Sequence, residues 1–297
     1  MKVAFLGLGA IGAPMARHLV ADYDLAVWNR TRARAETFAS EQGCRHEATP
    51  GGAARGASLV ITCLPTSREV NALLDGPDGL LESLNEGAIL VDCTSGDPAT
   101  SKRIAERLAA RGVGFLDAPV SGGVSGAVKG TLTIMCGGDE ATLQRARPIL
   151  EAFGEKIILC GRVGAGHAVK AVNQAMLGVH VWALSEGMVA LAKAGVPTDT
   201  ALEVINASSG RSNTSMNLFP ERVMTRAFPR TFRLALMDKD VRIAADFARE
   251  HGVAAPLLQV ASDLLRVARH ELGEEADHVE AVQVLEKWAG VRVGKSS

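Results

Sequence analysis

Lys2-Val3-Ala4-Phe5-Leu6 runs directly into Gly7-Leu8-Gly9-Ala10-Ile11-Gly12. An apolar run ending in G-x-G-x-x-G predicts a strand, a tight turn and a helix. Gly7 allows the turn. Gly9 has no side chain to hold a pyrophosphate off the backbone, and Gly12 lets the helix pack closely on the strand. Free amides at the helix N-terminus then face the phosphates. Alone, the motif is weak and also fits a glycine turn in another α/β protein. Its context is what counts. Helical spacing follows at Ile11, Met15, Ala16 and Leu19, and a second apolar strand, Leu25-Ala26-Val27-Trp28, comes at βαβ spacing. Residues Gly7, Leu8, Gly9, Ala10, Ile11 and Gly12 are therefore expected to bind a dinucleotide.

The end of the second strand selects between nicotinamide cofactors. An NAD site usually carries Asp or Glu there, to hold the ribose 2′-hydroxyl. This chain reads Trp28-Asn29-Arg30-Thr31. No acid is present to repel a 2′-phosphate, and Arg30 can pair with one through a charge-assisted contact. Asn29 and Thr31 can add neutral hydrogen bonds. The expected cofactor is NADP, with NAD as the second choice. Arg32 and Arg34 read as a solvated helix face.

At 297 residues the chain has room for about two domains. Its formal net charge is −1, with no basic stripe for nucleic acid and no polybasic tail for a membrane surface. The N-terminus enters a strand at once, so no signal or transit peptide is expected. The five cysteines are scattered without C-x-x-C pairing, which suggests reduced thiols in a cytoplasm. Cys63, Cys93, Cys136 and Cys160 lie in apolar runs and read as small buried residues. The seven histidines form no H-E-x-x-H array, so no metal is expected.

Further strand-like runs occur at 58–63, 88–92, 114–117, 132–136 and 157–160, several of them separated by helical patterns. That alternation argues for a mostly parallel, doubly wound sheet. It stops near Gly161. Residues 165–194 then read as one long apolar helix without proline. Lys170, His180, Glu186 and Lys193 interrupt it too often for a membrane span, so a buried core helix is expected. Beyond it the patterns are helical, notably at 198–207, 234–250 and 256–271. The fold class is an α/β Rossmann-type N-terminal domain (1–163) and an all-α C-terminal domain (164–297), joined by a long helix at 164–194. The tail after Gly290 is expected to be loosely held.

Four more segments carry candidate chemistry. Leu64-Pro65-Thr66-Ser67 directly follows a strand and Val91-Asp92-Cys93-Thr94-Ser95 lies at a strand's end, and ligands of doubly wound sheets bind at strand carboxyl ends. Ordinary turn chemistry would explain each as well. Asp117-Ala118-Pro119-Val120-Ser121-Gly122-Gly123 presents a hydroxyl and two backbone amides, which suits a small carboxylate or simply a turn. In Gly164-Ala165-Gly166-His167-Ala168-Val169-Lys170-Ala171-Val172-Asn173-Gln174, helical spacing puts Lys170, Asn173 and Gln174 on one face. A lysine on an apolar stripe is costly to bury without a purpose. Desolvated there, it can have its pKa lowered towards neutrality and act as a general acid/base. The plainer alternatives are a lysine reaching solvent along its stem and a structural ion pair.

Taken in order, these segments resemble the β-hydroxyacid dehydrogenase family over nearly the whole chain. Gly7–Gly12 with Met15 matches its cofactor fingerprint, Asp117–Gly123 its substrate motif, and Gly164–Asn173 its catalytic motif. Phe232-Arg233-Leu234-Ala235-Leu236-Met237-Asp238-Lys239-Asp240 resembles the family's late F-x-x-x-L-x-x-K-D stretch. Residues 205–212 are similar to the 3-hydroxyisobutyrate branch in particular. The resemblance implies Lys170 as general acid/base and Ser121, Gly122 and Gly123 as the carboxylate holder. It implies Asn173 or Gln174 as the substrate-orienting amide. Ser95 would lie at the cofactor ribose, with Phe232 also on the cofactor and Lys239 near the nicotinamide, supported by Asp240. Many members have a second Asn where this chain has Gln174, and many have an acid near Asn29.

The implied activity is oxidation of a small β-hydroxy acid to its semialdehyde, with a place in valine breakdown. The implied assembly is a homodimer or homotetramer. Two alternatives stay open. One is a reductase of glyoxylate, succinic or tartronate semialdehyde. The other is a non-catalytic nucleotide-binding module, against which the intact Lys170 argues.

Overall fold

In the computed structural model, which describes residues 1–294, the opening apolar run is the strand β1, Lys2–Leu6. It is followed by β2 (Asp24–Trp28), β3 (Arg45–His46), β4 (Leu59–Thr62), β5 (Ile89–Asp92) and β6 (Gly114–Asp117). Next come β7 (Val120–Ser121), β8 (Leu132–Gly137) and β9 (Gly154–Gly161). The strand order is β3-β2-β1-β4-β5-β6-β8-β7, with β9 on β8. All pairs from β3 to β6 are parallel. The order reverses at β1, which has β2 on one side and β4 on the other, so the glycine loop opens at the switch point where such sheets bind ligands.

Strands buried on both faces read as continuous apolar runs, and β1, β4 and β5 do so. Their alternate residues feed two cores. Val3, Phe5, Leu59, Ile61, Ile89 and Val91 join one cluster, while Ala4, Leu6, Val60 and Leu90 join the other. Beyond β6 the parallel rule breaks. β8 runs antiparallel to β6 and β7, which the alternation of strands and helices did not reveal. Ser121 is consequently paired with Thr133 on a two-residue strand instead of sitting in an open turn.

The chain separates into two compact units, one covering Met1–Lys170 and the other beginning at Ala171. The long helix spans Ala165–Lys193, within one residue of the expected bounds. It is long and apolar enough to cross a membrane, and 39% of its most apolar window is buried. Its buried residues, among them Ala175, Trp182 and Met188, join the two cores of the helical unit. Val169, Val172 and Met176 are exposed at 44%, 42% and 51%, so the expected core helix is buried on part of its circumference only.

The helices Thr198–Ala207, Leu234–Glu250 and Pro256–Leu272 match the sequence patterns. Thr214–Val223 is a wide-turned helix that contains Pro220. Its exit carries an i→i+5 bond from Met224 N to Phe219 O at 2.9 Å. Two expectations are corrected. Cys63 and Cys160 are half-buried, unlike Cys93 and Cys136. Burial nevertheless pushes the Cys63 thiol up to about 12. The tail is pinned through residue 294, because Val293 N donates to Glu286 Oε1 at 2.8 Å and Arg226 Nη1 donates to Val293 O at 3.0 Å. Residues 295–297 of that expected loose tail lie outside the described residues.

Candidate active site

The glycine loop is built from three glycines with different reasons to be glycine. Gly7 has φ +108°, and a Cβ there would overlap the Cys63 carbonyl oxygen of the neighbouring strand end. A Cβ on Gly12 would overlap the Gly7 carbonyl oxygen. Gly9 has neither a left-handed φ nor any atom within 4 Å of its would-be Cβ. Nothing in the protein requires glycine at that position, whereas a pyrophosphate laid on the backbone does. The loop therefore fits a dinucleotide.

Leu8 N donates to Asn29 Oδ1 at 3.0 Å, and Asn29 Nδ2 donates to Thr31 O at 3.0 Å. The Asn29 carboxamide thus ties the end of β2 to the glycine loop, a role its sequence position alone did not disclose. Arg30 and Thr31 are exposed beside it.

The loops after β4 and β5 are cross-braced. Thr62 Oγ1 and Thr94 N both donate to Asp92 Oδ1, at 2.8 and 3.0 Å. Leu64 N donates to Thr94 Oγ1 at 3.1 Å. Thr66 caps the helix Ser67–Ala72 by accepting from Arg68 N. Pro65 is exposed and Ser95 is half-buried on this side.

The end of β6 holds the start of the long helix. Asp117 is fully buried and accepts from Gly164 N at 2.7 Å and His167 N at 2.8 Å. Those are amides of the helix's first turn, which lack partners within the helix. A carboxylate there also meets the positive end of the helix dipole. Burial pushes the Asp117 carboxyl up, and His167 and the two amides oppose that. His167 is fully buried too, with Nε2 2.8 Å from Thr94 O and Nδ1 2.6 Å from Ser101 Oγ. Neither residue's role is disclosed by its position in the sequence. The only signal was their place inside two motifs.

Lys170 follows one helical turn after His167 and is 7% exposed. In the same unit, Ser121 is half-buried, and Gly122 and Gly123 have φ of +134° and +63°. A Cβ on Gly123 would meet nothing within 4 Å, which leaves room at its amide.

The second unit gathers four of the expected residues. Gln174 Nε2 donates to Asp240 Oδ2 at 3.3 Å, and Asn173 Nδ2 donates to Gln174 Oε1 at 3.2 Å. Lys239 Nζ pairs with Asp240 Oδ1 at 2.7 Å. Phe232 stands apart from this cluster. Its amide donates to Asp277 Oδ2 at 3.0 Å, and its ring meets His278 edge-on at 5.5 Å.

Two family models match the chain. Residues 2–161 match the NAD binding domain of 6-phosphogluconate dehydrogenase, and residues 164–285 match the NAD-binding domain of NADP-dependent 3-hydroxyisobutyrate dehydrogenase. The chain is 34% identical to 2-(hydroxymethyl)glutarate dehydrogenase of Eubacterium barkeri, over 99% of this chain and 97% of that protein. It is 31% identical to 2-hydroxy-3-oxopropionate reductase of Escherichia coli, over 97% and 98%. The solved structure of Mycobacterium tuberculosis 3-hydroxyisobutyrate dehydrogenase with L-serine superposes with a TM-score of 0.87. That pair is 32% identical, covering 95% of this chain and 98% of the other. With its glycine loop at the sheet's switch point and both halves matched, the chain belongs to the β-hydroxyacid dehydrogenase family, as an NAD(P)-dependent oxidoreductase acting on a hydroxyl group.

Proposed function

We propose that this enzyme oxidises a small β-hydroxy acid of the 3-hydroxyisobutyrate type to its semialdehyde, with NADP as cofactor and Lys170 as general acid/base. The observation that carries the reading is Lys170 itself, buried in an apolar helix whose first turn is anchored to the strand-end loops. Lys170 Nζ takes the proton of the substrate hydroxyl. The nicotinamide, when bound, accepts the hydride that leaves the same carbon. Ser121 and the amides of Gly122 and Gly123 hold the substrate carboxylate, which sets the distance of that carbon from its reaction partners. Asn173 is the exposed amide of its pair and orients the substrate. Gln174, committed to Asp240, braces it. Gly7–Gly12, Asn29, Arg30, Thr31, Leu64, Pro65, Thr66, Ser95 and Phe232 contact the cofactor. Lys239, held by Asp240, lies near its nicotinamide. The reading makes residues 1–163 the main cofactor-binding domain and gives Lys170, the substrate-orienting amides and the subunit contacts to 164–297, in a cytoplasmic enzyme of valine breakdown. A second reading is supported by the similarity to a 2-hydroxy-3-oxopropionate reductase: the same site run as a semialdehyde reductase.

An absorbance assay at the NADPH band tests both, using hydroxy acids and semialdehydes with each cofactor. Wild type is expected to prefer NADP. Combining Arg30→Ala with Asn29→Asp should move that preference towards NAD, and the new carboxylate can still accept from Leu8 N. One charge-assisted contact of ~1.5–3 kcal/mol corresponds to roughly ten- to a hundredfold. Tighter binding of NAD than NADP by wild type would reverse the reading of this loop.

Assembly is expected through the helical unit. Leu257, Val260 and Val267 lie along one stripe of the helix Pro256–Leu272, exposed at 70%, 54% and 38%, with Val253 just before it at 59%. A contiguous exposed apolar stripe marks an interaction surface. Light scattering at micromolar concentration should return a dimer or tetramer, and a stable monomer would contradict this.

A further inference from the structure

The side chain of His167 joins the Thr94 loop and Ser101 of the helix Pro98–Ala109 to the helix that carries Lys170, and the proposed reaction does not use it. Ser101 Oγ, the His167 ring and Asp92 Oδ2 form a chain of contacts, the last 4.0 Å from Nε2. The arrangement looks like a nucleophile triad. All three residues are fully buried, however, so no substrate can reach the serine.

The geometry points to another role. The Thr94 carbonyl oxygen can only accept, so Nε2 carries the hydrogen. Nδ1 lies 2.6 Å from Ser101 Oγ, whose hydroxyl is also 3.1 Å from Asp97 O. The ring is thus bonded at both nitrogens. Its edge is packed as well, since a Cβ on Gly96 would lie 2.8 Å from His167 Cε1. Asp97 N in turn donates to Ser67 Oγ at 2.9 Å, which closes the loop from its other end.

Two sets of bonds therefore hold the first turn of the long helix, and they constrain different motions. The Asp117 carboxylate grips backbone amides and sets the helix's position along its axis. The His167 ring projects sideways as a strut, so it resists rotation about that axis. Rotation of this turn swings the side chain three residues on, which is Lys170. The other end of the strut is Thr94, the neighbour of Ser95.

We infer that His167 is a positioning residue that sets the Thr94–Ser95 loop and the Lys170 side chain in one register, so that the cofactor side of the site and the general acid/base are aligned together. This inference rests on the functional reading of Ser95 and Lys170 given above.

The test compares His167→Leu, which keeps bulk but removes both hydrogen bonds, with His167→Gln, whose amide can still donate to the Thr94 carbonyl. Steady-state kinetics, NADPH fluorescence titration and melting temperature are read for each. The Leu variant should be folded at the assay temperature, with kcat lowered about tenfold to a hundredfold, as small misplacements of a reacting group cause. KM for the hydroxy acid should change little, because the carboxylate holder is untouched. The Gln variant should recover most of the lost kcat. Should the Leu variant fail to fold, His167→Asn takes its place, since its shorter amide cannot reach Thr94.

A merely structural histidine would give a lower melting temperature with unchanged kcat and cofactor affinity. That result, or an unimpaired Leu or Asn variant, overturns the inference while the functional reading stands. A wild type that binds no nicotinamide cofactor, or an active Lys170→Met enzyme, defeats the functional reading itself and takes this inference with it.

Discussion

Replacing Lys170 by Met is expected to cut turnover by at least the ~10²–10⁴-fold typical of removing a general acid/base. The fold and the affinity for NADP should survive. Met keeps the length and apolar stem of a side chain that is 7% exposed, so packing in the helix is largely preserved. The loss should fall on kcat more than on KM, because proton transfer is an interaction made only in the transition state. Lys170→Arg should fail as well, since Arg stays protonated at working pH and cannot accept the proton. A structural lysine would behave in the opposite way. Met would then lower the melting temperature or be harmless, and Arg would be tolerated. Steady-state kinetics with a thermal melt on the same preparations separates the two.

A large effect of another kind is expected at Asp277, which holds the entry to the helix carrying Lys239 and Asp240. The residue is fully buried. Its Oδ2 accepts from Thr231 N, Thr231 Oγ1 and Phe232 N at 2.9, 2.8 and 3.0 Å. Its Oδ1 accepts from Val279 N and Arg222 Nη1, both at 3.2 Å. Ala removes the acceptor and leaves these donors, one of them charged, inside the protein. Removing one partner of such a buried pair costs about 3–5 kcal/mol. The melting temperature should fall by on the order of 10 °C. Asn keeps one acceptor oxygen and should lose less.

The pH dependence follows with a definite sign. Burial works against the Asp277 charge, but hydrogen bonds from His278, Phe232 and Thr231 outweigh it and hold the carboxyl well below the usual carboxylate range. A depressed folded pKa stabilises above the unfolded value of about 4, and the contribution is lost as pH falls through the folded value. Wild type and Asp277→Ala should therefore differ most in melting temperature at neutral pH and converge under strongly acidic conditions. Equal melting temperatures at pH 7 would show that the carboxylate holds nothing together.

Short-range patterns carried much of this protein into the open. The glycine loop, the βαβ spacing and the bounds of the helices at 165, 198, 234 and 256 were legible, because turn chemistry and helical period are written within windows of about 11–18 residues. The candidate site residues are legible as motifs for the same reason, since each motif fits inside such a window. Three features were not. The antiparallel setting of β8 depends on which strand edge remains free after β6, and no residue in β8 encodes that. The tie of the Asn29 carboxamide to the glycine loop is not legible locally, because its partner Leu8 N lies 21 residues away. The tail looked loose because the Arg226 that holds it lies 67 residues upstream of Val293.

The anchoring of the Lys170 helix shows the division most clearly. By itself the sequence determined that a helix begins at Ala165, that a lysine follows one turn later, and that the chain opens with a dinucleotide loop. Only the tertiary structure decided what holds that first turn. Asp117 lies 47 residues from Gly164, and Ser101 and Thr94 lie 66 and 73 residues from His167. A buried carboxylate and a buried imidazole are tolerable only where such partners meet them. The strand order and the helix packing create that meeting, and no local window of the chain contains it.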